Sequence, residues 1–393
     1  MELHRVGGLL LRAVDVLILI SILVMAVRLR QAKLPLLVPA CLLGLICLSL
    51  LRSVVISDVS AMISAMKISY YLIGALVLAT AFRDLLVTRD NRVTLFAIFL
   101  TSPIVIFFLI NFGSIFLDML QSRSVLNLSQ VIFRGWHELF SNNLFGVSES
   151  LEVSGVEFRN SAGIAFLVAG IFFYLSDGMF NRVLMIVLMI IAALMFSRSV
   201  WLIQLLFIAL LITRLDGLRR LVLLLGILCC IIVISTAPTF YEALASRINS
   251  DFGRSEMLSV AFDAFGTGVL FGRAEGAEIS LANGEYKSVH NAALAFALKT
   301  GILGFLLSII IAFSFLWTAG TNFVLLLSTR DEDYKMTIVV ILLSVILFVR
   351  PMISASHAIY FSIGEWCALA ILMAIQAIMR DRRRTNISSN LTA

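Results

Sequence analysis

The sequence predicts an all-α, polytopic transmembrane bundle of about eleven helices, with a helical loop on the outer side of the membrane. Its 393 residues are 61% hydrophobic and 14% charged, whereas soluble proteins carry about 25% charged and about 45–50% apolar residues. The mean hydropathy is +1.04, and apolar runs of about 20 residues, each long enough to cross a bilayer core, recur along the chain. The composition therefore excludes a soluble protein.

The apolar runs define eleven predicted spans, at about 6–27, 34–51, 66–82, 93–112, 160–175, 182–196, 199–213, 220–237, 291–317, 335–350 and 358–379. Two hydrophilic stretches, 113–159 and 238–290, interrupt them, and the other connections are short. The first span contains Arg12 and Asp15, which a helix would place one turn apart as a pair. We therefore expect residues 1–393 to form a single integral membrane domain with two large loops.

Basic residues orient the predicted bundle. Alternate short loops and the C-terminal tail contain 16 of the 30 Lys and Arg residues: Arg28, Arg30, Lys33, Arg83, Arg89, Arg92, Arg182, Arg214, Arg219, Arg220, Arg330, Lys335, Arg380, Arg382, Arg383 and Arg384. Because cytoplasmic loops are enriched in positive charge, this side is predicted to be cytoplasmic. Both large loops then face the periplasm or the cell exterior. The net charge of +6 indicates this topology rather than a nucleic-acid partner.

No metal or other cofactor is predicted. The five cysteines lie inside apolar runs without metal-ligand spacing, which is typical of small buried hydrophobic residues. The chain has no Walker motif, no HExxH motif, no DxD-like acidic pair on the cytoplasmic face and no Cys/His cluster. Metal-dependent nucleotide-sugar chemistry is therefore unsupported.

The first large loop contains an amphipathic stretch, Gln130–Phe140. Apolar residues that include Trp136 share one face of the predicted helix, and Arg134, His137 and Glu138 share the opposite face. Such a helix lies in the interface plane of a membrane. It forms either a structural collar around the bundle or one wall of a lateral entrance for a lipid substrate.

Positive charge is normally enriched on the cytoplasmic side of a membrane protein. Arginines in the segments predicted to be outside depart from this rule, so they are candidate ligands for an anionic substrate. The second large loop contains Arg247, Arg254 and Arg273, and Arg159 and Arg198 lie at the outer ends of spans. A guanidinium group binds phosphate oxygens with two parallel hydrogen bonds. Outer arginines can equally pair with lipid headgroups or with a nearby Asp or Glu.

Further candidates lie at the end of the second large loop and inside the spans. His290 and Asn291 close the loop, where a neutral imidazole can accept a proton from a hydroxyl nucleophile or can be an ordinary interfacial residue. Lys299 and Glu365 lie within spans, where ionisable groups are functional candidates. Glu365 could equally cap an arginine of the bundle, and these groups keep a transporter as an alternative.

Four short motifs follow one another along the chain: Phe158–Ala165, Phe196–Leu202, Gly253–Gly266 with Gly268 and Gly272, and Ser288–Leu294 with Lys299–Gly304. In order and content they resemble the motifs of the bacterial superfamily of O-antigen ligases and of O-antigen and exopolysaccharide polymerases. The four correspond to its Asn-containing start of a span, its SR signature, its Arg-led outer helix with a small-residue turn, and its HN…L…GxxG element. The large outer loop falls where that superfamily has it.

The resemblance implies an inverting, metal-independent glycosyltransferase of the bacterial inner membrane, with its active site on the periplasmic face. An undecaprenyl-diphosphate-linked glycan would be the donor. Arg198 and Arg254 would hold the diphosphate, and His290 would activate or orient the acceptor hydroxyl. Four more residues are expected to bind substrate: Arg247, Arg273, Arg159 and Asn291.

The resemblance leaves the acceptor open. A growing glycan chain would make the protein a polymerase, which we favour because polymerases are the more numerous and varied members. Lipid A core as the acceptor would make it an O-antigen ligase, and a transporter is the third alternative. Membrane lipids, a chain-length regulator and a flippase are the further partners implied.

Overall fold

The computed structural model describes most of the apolar part of the chain, namely residues 2–6, 9–12, 34–55, 59–88, 155–176, 178–194, 198–213, 252–266, 269–272, 278–280, 286–289, 291–328, 334–354 and 363–392. The helices in these ranges are α1 Leu37–Val55, α2 Val59–Thr88, α3 Gly155–Tyr174, α4 Met179–Leu194, α5 Arg198–Ile212, α6 Phe252–Gly266, α7 Ala292–Ser328, α8 Tyr334–Ser354 and α9 Ile363–Thr392. The strands are β1 Glu2–Val6, β2 Leu9–Arg12, β3 Glu278–Ser280 and β4 Tyr286–Ser288. The described chain is overwhelmingly helical, as predicted.

Four helical segments in the described part of the chain are long and apolar enough to cross a membrane: Leu37–Val55, Ile68–Val87, Ala292–Leu327 and Tyr334–Met352. Helices α3, α4 and α5 contain shorter apolar segments. Eight of the nine described helices, α1–α5 and α7–α9, overlap predicted spans. These helices are compatible with a membrane protein. The spans at 93–112 and 220–237 lie outside the described residues, so the count of eleven helices stays a prediction.

The first predicted span is wrong at its beginning. The sequence predicts a helix over 6–27, but β1 and β2 pair as antiparallel strands with Val6 opposite Leu9. The two residues between this pair are Gly7 and Gly8, and a Gly-Gly pair is strongly preferred in two-residue hairpin turns. Arg12 therefore ends a strand and does not lie on a helix one turn before Asp15.

The second large loop, 238–290, contains the expected helix and an unexpected pair of strands. Helix α6 covers the predicted Arg-led segment, and a turn follows at Val269–Phe271. Strand β3 pairs with β4. The residues between these strands include Asn283-Gly284, a typical turn sequence. Of the first large loop, 113–159, only the last five residues are described, and they begin α3. The amphipathic stretch at 130–140 lies outside the described residues.

The chain divides into two compact units, and the expectation of a single domain stays a prediction. Unit 1 comprises residues 1–96, 264–278 and 288–393. Each of its five helices packs against two others, in the cyclic order α1, α2, α9, α8, α7 and back to α1. Unit 2 comprises residues 97–263 and 279–287. In unit 2, α3 packs along α4, and α5 contacts both.

A glycine lies at a close helix contact in each unit. A Cβ at Gly44 of α1 would lie 3.0 Å from the Leu307 side chain of α7, and a Cβ at Gly170 of α3 would lie 3.1 Å from the Met189 side chain of α4. Small residues at helix interfaces let the backbones approach and increase van der Waals contact, which drives helix association in membranes. These two glycines therefore set how closely α1 approaches α7 and how closely α3 approaches α4.

Helix α7 is broken at Gly301, where φ is 72° and ψ is −158°. This conformation is essentially restricted to glycine. The Ile302 N–H donates a hydrogen bond to the carbonyl of Val269 (2.7 Å), in the turn that follows α6. A Cβ at Gly301 would collide with the Leu270 carbonyl, and a Cβ at Gly272, where φ is 80°, would lie 2.7 Å from the Leu298 carbonyl oxygen. The turn at Val269–Phe271 therefore packs directly on α7 where the helix is broken, with backbone in contact with backbone.

We predict that Gly301→Ala destabilises the protein by at least about 1–3 kcal/mol, because alanine is strained in this conformation and its Cβ would collide with the Leu270 carbonyl. Gly320→Ala in the same helix is the control, since nothing lies within 4 Å of its Cβ position. That change should be neutral or stabilising by up to about 1 kcal/mol. Thermal unfolding in detergent measures both, and equal melting temperatures would contradict the role of the break.

Candidate functional site

The helix that follows the second large loop begins with an asparagine cap. The Leu294 N–H donates to Asn291 Oδ1 (3.0 Å), as is typical at a helix N-cap. The Ala295 N–H donates to the Asn291 carbonyl (2.8 Å) and closes the first turn. Asn291 Nδ2 donates to the Met352 carbonyl (2.9 Å), near the end of α8. One side-chain amide therefore caps α7 and also ties its start to the end of α8.

The first two turns of α7 are closely packed. Each residue from 292 to 298 is at most 8% exposed, and four of these residues are alanines, so neighbouring segments can approach the helix backbone. The positive end of the α7 dipole lies at this cap. His290 directly precedes Asn291 in the sequence but lies outside the described residues. The backbone that follows His290 is therefore fixed by a buried, capped helix.

A buried ion pair joins α8 to α9 close to this cap. Arg350 Nε lies 3.2 Å from Glu365 Oε1, and the two residues are 6% and 4% exposed. Arg350 precedes Met352, the acceptor of the Asn291 amide, by two residues. Removing one partner of a buried pair leaves an uncompensated charge, which typically costs about 3–5 kcal/mol. The pair therefore fixes α9 against α8 at the end where α7 begins.

Aromatic side chains extend this end of the unit toward α2. Trp366 follows Glu365 and stacks on Tyr71, with the ring centroids 6.3 Å apart. Tyr71 meets Tyr70 edge to face at 5.8 Å. Aromatic pairs in these arrangements contribute about 0.5–1.5 kcal/mol beyond the area that they bury. The start of α9 is thus held on one side by the ion pair and on the other by α2.

Two groups of polar contacts lie at different levels of unit 1, and the membrane side of each stays a prediction. Arg83 of α2 lies 2.7 Å from Asp381 of α9, and both belong to segments predicted to be cytoplasmic. Arg350 ends one predicted span and Glu365 lies within the next, whereas Asn291 closes the second large loop, which is predicted to be on the outer side. From Glu365 to Asp381, α9 rises about 24 Å at 1.5 Å per residue. The two groups of contacts therefore lie at well-separated levels of α9, which continues to Thr392.

The structure describes the seven predicted site residues to different extents. Three arginines lie in helices of unit 2: Arg159 in α3, Arg198 at the start of α5 and Arg254 in α6. Asn291 is fully described and belongs to unit 1. Three residues lie outside the described residues: His290, Arg247 and Arg273. Convergence of the arginines on one substrate stays a prediction. Among the described residues, no group of three or more His, Cys, Asp and Glu side chains could hold a metal ion.

Arg350 is the residue at this end that the sequence did not single out. It stands at the end of a predicted span, immediately before Pro351, where an interfacial arginine is ordinary. The signal that could have identified it is Glu365 in the next span, because a buried carboxylate needs a cationic or hydrogen-bonding partner. The alternative that Glu365 caps an arginine of the bundle is confirmed.

No protein-family model matches the chain, and no curated protein is significantly similar to it in sequence. The function is therefore inferred from the residues of this chain and from their geometry.

We predict that the Arg350–Glu365 and Arg83–Asp381 pairs differ strongly in their effect on stability. Glu365→Ala and Arg350→Ala should each lower the free energy of unfolding by roughly 3–5 kcal/mol, because each leaves a buried charge unpaired. Asp381→Ala should lower it by no more than about 1 kcal/mol, because the side chains of that pair are 21% and 37% exposed and such pairs are worth little.

A double change, Arg350→Met with Glu365→Leu, should regain most of the stability lost in the single variants, since an apolar pair of similar volume replaces a buried ion pair at little cost. Thermal unfolding of the purified variants measures all of these effects. A loss at Asp381 as large as the loss at Glu365 would show that burial does not decide the difference.

Proposed function

We propose that the protein is an inverting, metal-independent glycosyltransferase that uses an undecaprenyl-diphosphate-linked glycan at the outer face of the bacterial inner membrane, as a polysaccharide polymerase. One observation carries the proposal. The turn after α6 and the Lys299–Gly304 segment of α7, which correspond to two of the four resembling motifs, contact each other through the Ile302–Val269 hydrogen bond and two glycines. The packing of Phe265 on Phe305, with ring centroids 5.9 Å apart, supports the same contact.

This contact bears on the proposal because it joins, within unit 1, the small-residue turn of one motif to the helix that begins after His290. The two segments are about 30 residues apart in the sequence, and both contain the glycines that the resemblance requires. At Gly272 and Gly301 these glycines have positive φ and face backbone that a Cβ would strike. The motif glycines therefore have a packing reason in this chain, independent of the resemblance.

In the proposed reaction, a hydroxyl oxygen of the acceptor attacks the anomeric carbon of the donor. A new glycosidic bond forms while the bond from that carbon to the lipid diphosphate breaks, with inversion. His290 accepts the hydroxyl proton or orients the hydroxyl, and Arg198 and Arg254 stabilise the negative charge that develops on the diphosphate. Arg247, Arg273 and Arg159 are proposed as further contacts to substrate: they extend the positive charge along the outer segments.

Asn291 takes a positioning role in this proposal. Its Oδ1 accepts the Leu294 N–H and its Nδ2 donates to the Met352 carbonyl, so both ends of the amide are engaged inside unit 1. The side chain therefore fixes the start of α7 directly behind His290. A rigid backbone directly after His290 would lower the cost of aligning an imidazole with the acceptor hydroxyl.

Two other functions remain as alternatives. An O-antigen ligase would use the same donor chemistry and transfer the glycan to lipid A core. A transporter is favoured by one observation, the buried Arg350–Glu365 pair, because ionisable groups inside the membrane often mark a substrate or ion pathway. In the proposed enzyme this pair instead holds α8 and α9 in place.

We predict that the purified protein, supplied with lipid-diphosphate-linked repeat units, forms longer glycans without added nucleotide and in the presence of EDTA. Gel analysis of the products distinguishes the alternatives. A ladder of glycans on the lipid diphosphate indicates a polymerase, and glycan on lipid A core indicates a ligase. Absence of transfer to either acceptor, together with uptake of substrate into proteoliposomes, would support the transporter.

We predict that Arg198→Lys and Arg254→Lys each slow transfer by roughly 30- to 1,000-fold, because lysine keeps the charge but loses bidentate binding of phosphate, at a cost of roughly 2–4 kcal/mol. His290→Ala should remove most turnover while leaving donor binding largely intact. Arg123→Ala, which changes an arginine in the same Ser-Arg-Ser sequence in the first large loop, is the matched control and should be nearly silent. Equal losses in the Arg123 and Arg198 variants would contradict the assigned roles, as would wild-type turnover in His290→Ala.

A further inference from the structure

A groove of about 410 Å³ lies within unit 1, between the middle of α7, residues 369–380 of α9 and the start of α1. Phe313 and Trp317 of α7 form one wall. Their rings stack with centroids 6.1 Å apart and are largely exposed. Buried Leu372 and Met373 of α9 form the facing wall. Small-molecule sites commonly have volumes of about 300–1,000 Å³, so the groove can hold part of a ligand rather than a single water molecule.

Along α9 the lining of the groove changes from apolar, at Leu369, Leu372 and Met373, to polar, at Gln376 and Arg380. On α7, Ser314 and Thr318 lie beside Phe313 and Trp317. Arg380 is exposed, and no described carboxylate pairs with it, whereas the adjacent Asp381 pairs with Arg83. The polar end of the groove therefore carries a positive charge that is available to an anion.

The direction of the helices places this charge at one end of the bundle. Helices α7 and α9 both begin at the end with the Arg350–Glu365 pair, and Arg380 lies about 22 Å further along α9, beside the Arg83–Asp381 pair. From Leu369, at the apolar end of the groove, to Arg380 the helix rises about 16 Å. An apolar slot of this length, ending in a cation at the level where a membrane surface is expected, matches an acyl chain attached to a phosphate.

We propose that this groove binds one anionic phospholipid. Arg380 donates hydrogen bonds to the headgroup phosphate, as guanidinium groups do, and Gln376 adds an amide donor. One acyl chain lies along Leu372 and Met373 against the rings of Phe313 and Trp317. A zwitterionic lipid offers the same chain but no net negative charge, so the cation at the polar end favours the anionic lipid. This site does not depend on the proposed glycosyl transfer.

Trp317 provides the measurement. The full chain is reconstituted in vesicles that contain brominated phosphatidylglycerol or brominated phosphatidylcholine at equal mole fractions, because bromine on an acyl chain quenches indole fluorescence at contact. The Trp317→Phe variant identifies the part of the signal that belongs to Trp317. We expect the anionic lipid to quench Trp317 with roughly fivefold higher apparent affinity, the effect of about one basic side chain at an anionic surface.

Two variants and one control test the two halves of the site. Arg380→Gln should abolish the preference for phosphatidylglycerol but keep quenching by both lipids. Arg182→Gln removes an exposed arginine at the start of α4 that is also predicted to be cytoplasmic, and it should leave the preference unchanged. Ser314→Leu fills the groove and should reduce quenching of Trp317 by both lipids.

Equal quenching of the wild-type protein by the two lipids would overturn the proposal. A preference that survives Arg380→Gln, or that Arg182→Gln removes equally, would show that general surface charge and not the groove selects the lipid. Unchanged quenching in Ser314→Leu would overturn the placement of the acyl chain.

Discussion

Backbone polar groups inside an apolar bundle must find partners within the protein, because lipid offers none. The regular helical conformation of α7 is interrupted at Gly301. The carbonyl of Val269 accepts the Ile302 N–H there. Glycine at 272 and at 301 lets the two backbones meet without a Cβ between them. The turn at Val269–Phe271 in the second large loop is thereby fastened to the first third of α7.

The two ends of unit 1 are held by different forces. Around the start of α7, the Asn291 amide and the buried Arg350–Glu365 pair fix three helices to one another. A buried ion pair adds little net stability because desolvation offsets its attraction, so its main consequence is a defined arrangement of α8 against α9. At the other end the Arg83–Asp381 pair is partly exposed, and such pairs contribute about 0–1 kcal/mol.

This asymmetry suits the proposed chemistry. A residue that must align with an acceptor hydroxyl gains from a rigid base, and the capped, buried start of α7 supplies one directly after His290. Arg380 is exposed and the neighbouring Arg83–Asp381 pair is partly exposed. This part of unit 1 therefore suits a lipid that exchanges with the surrounding bilayer. The glycines of the resembling motifs belong to the rigid end, since they serve backbone contacts that any side chain would block.

The sequence by itself determined the helical class and the overlap of eight described helices with predicted spans, because the length of an apolar run reports directly on the bilayer. It also placed a helix in the second large loop. Only the tertiary structure decided the strands at the N-terminus, the break at Gly301 and the pairing of Arg350 with Glu365. Hydropathy does not distinguish a hairpin from the start of a span, and a glycine break or a buried ion pair depends on which distant segment packs there.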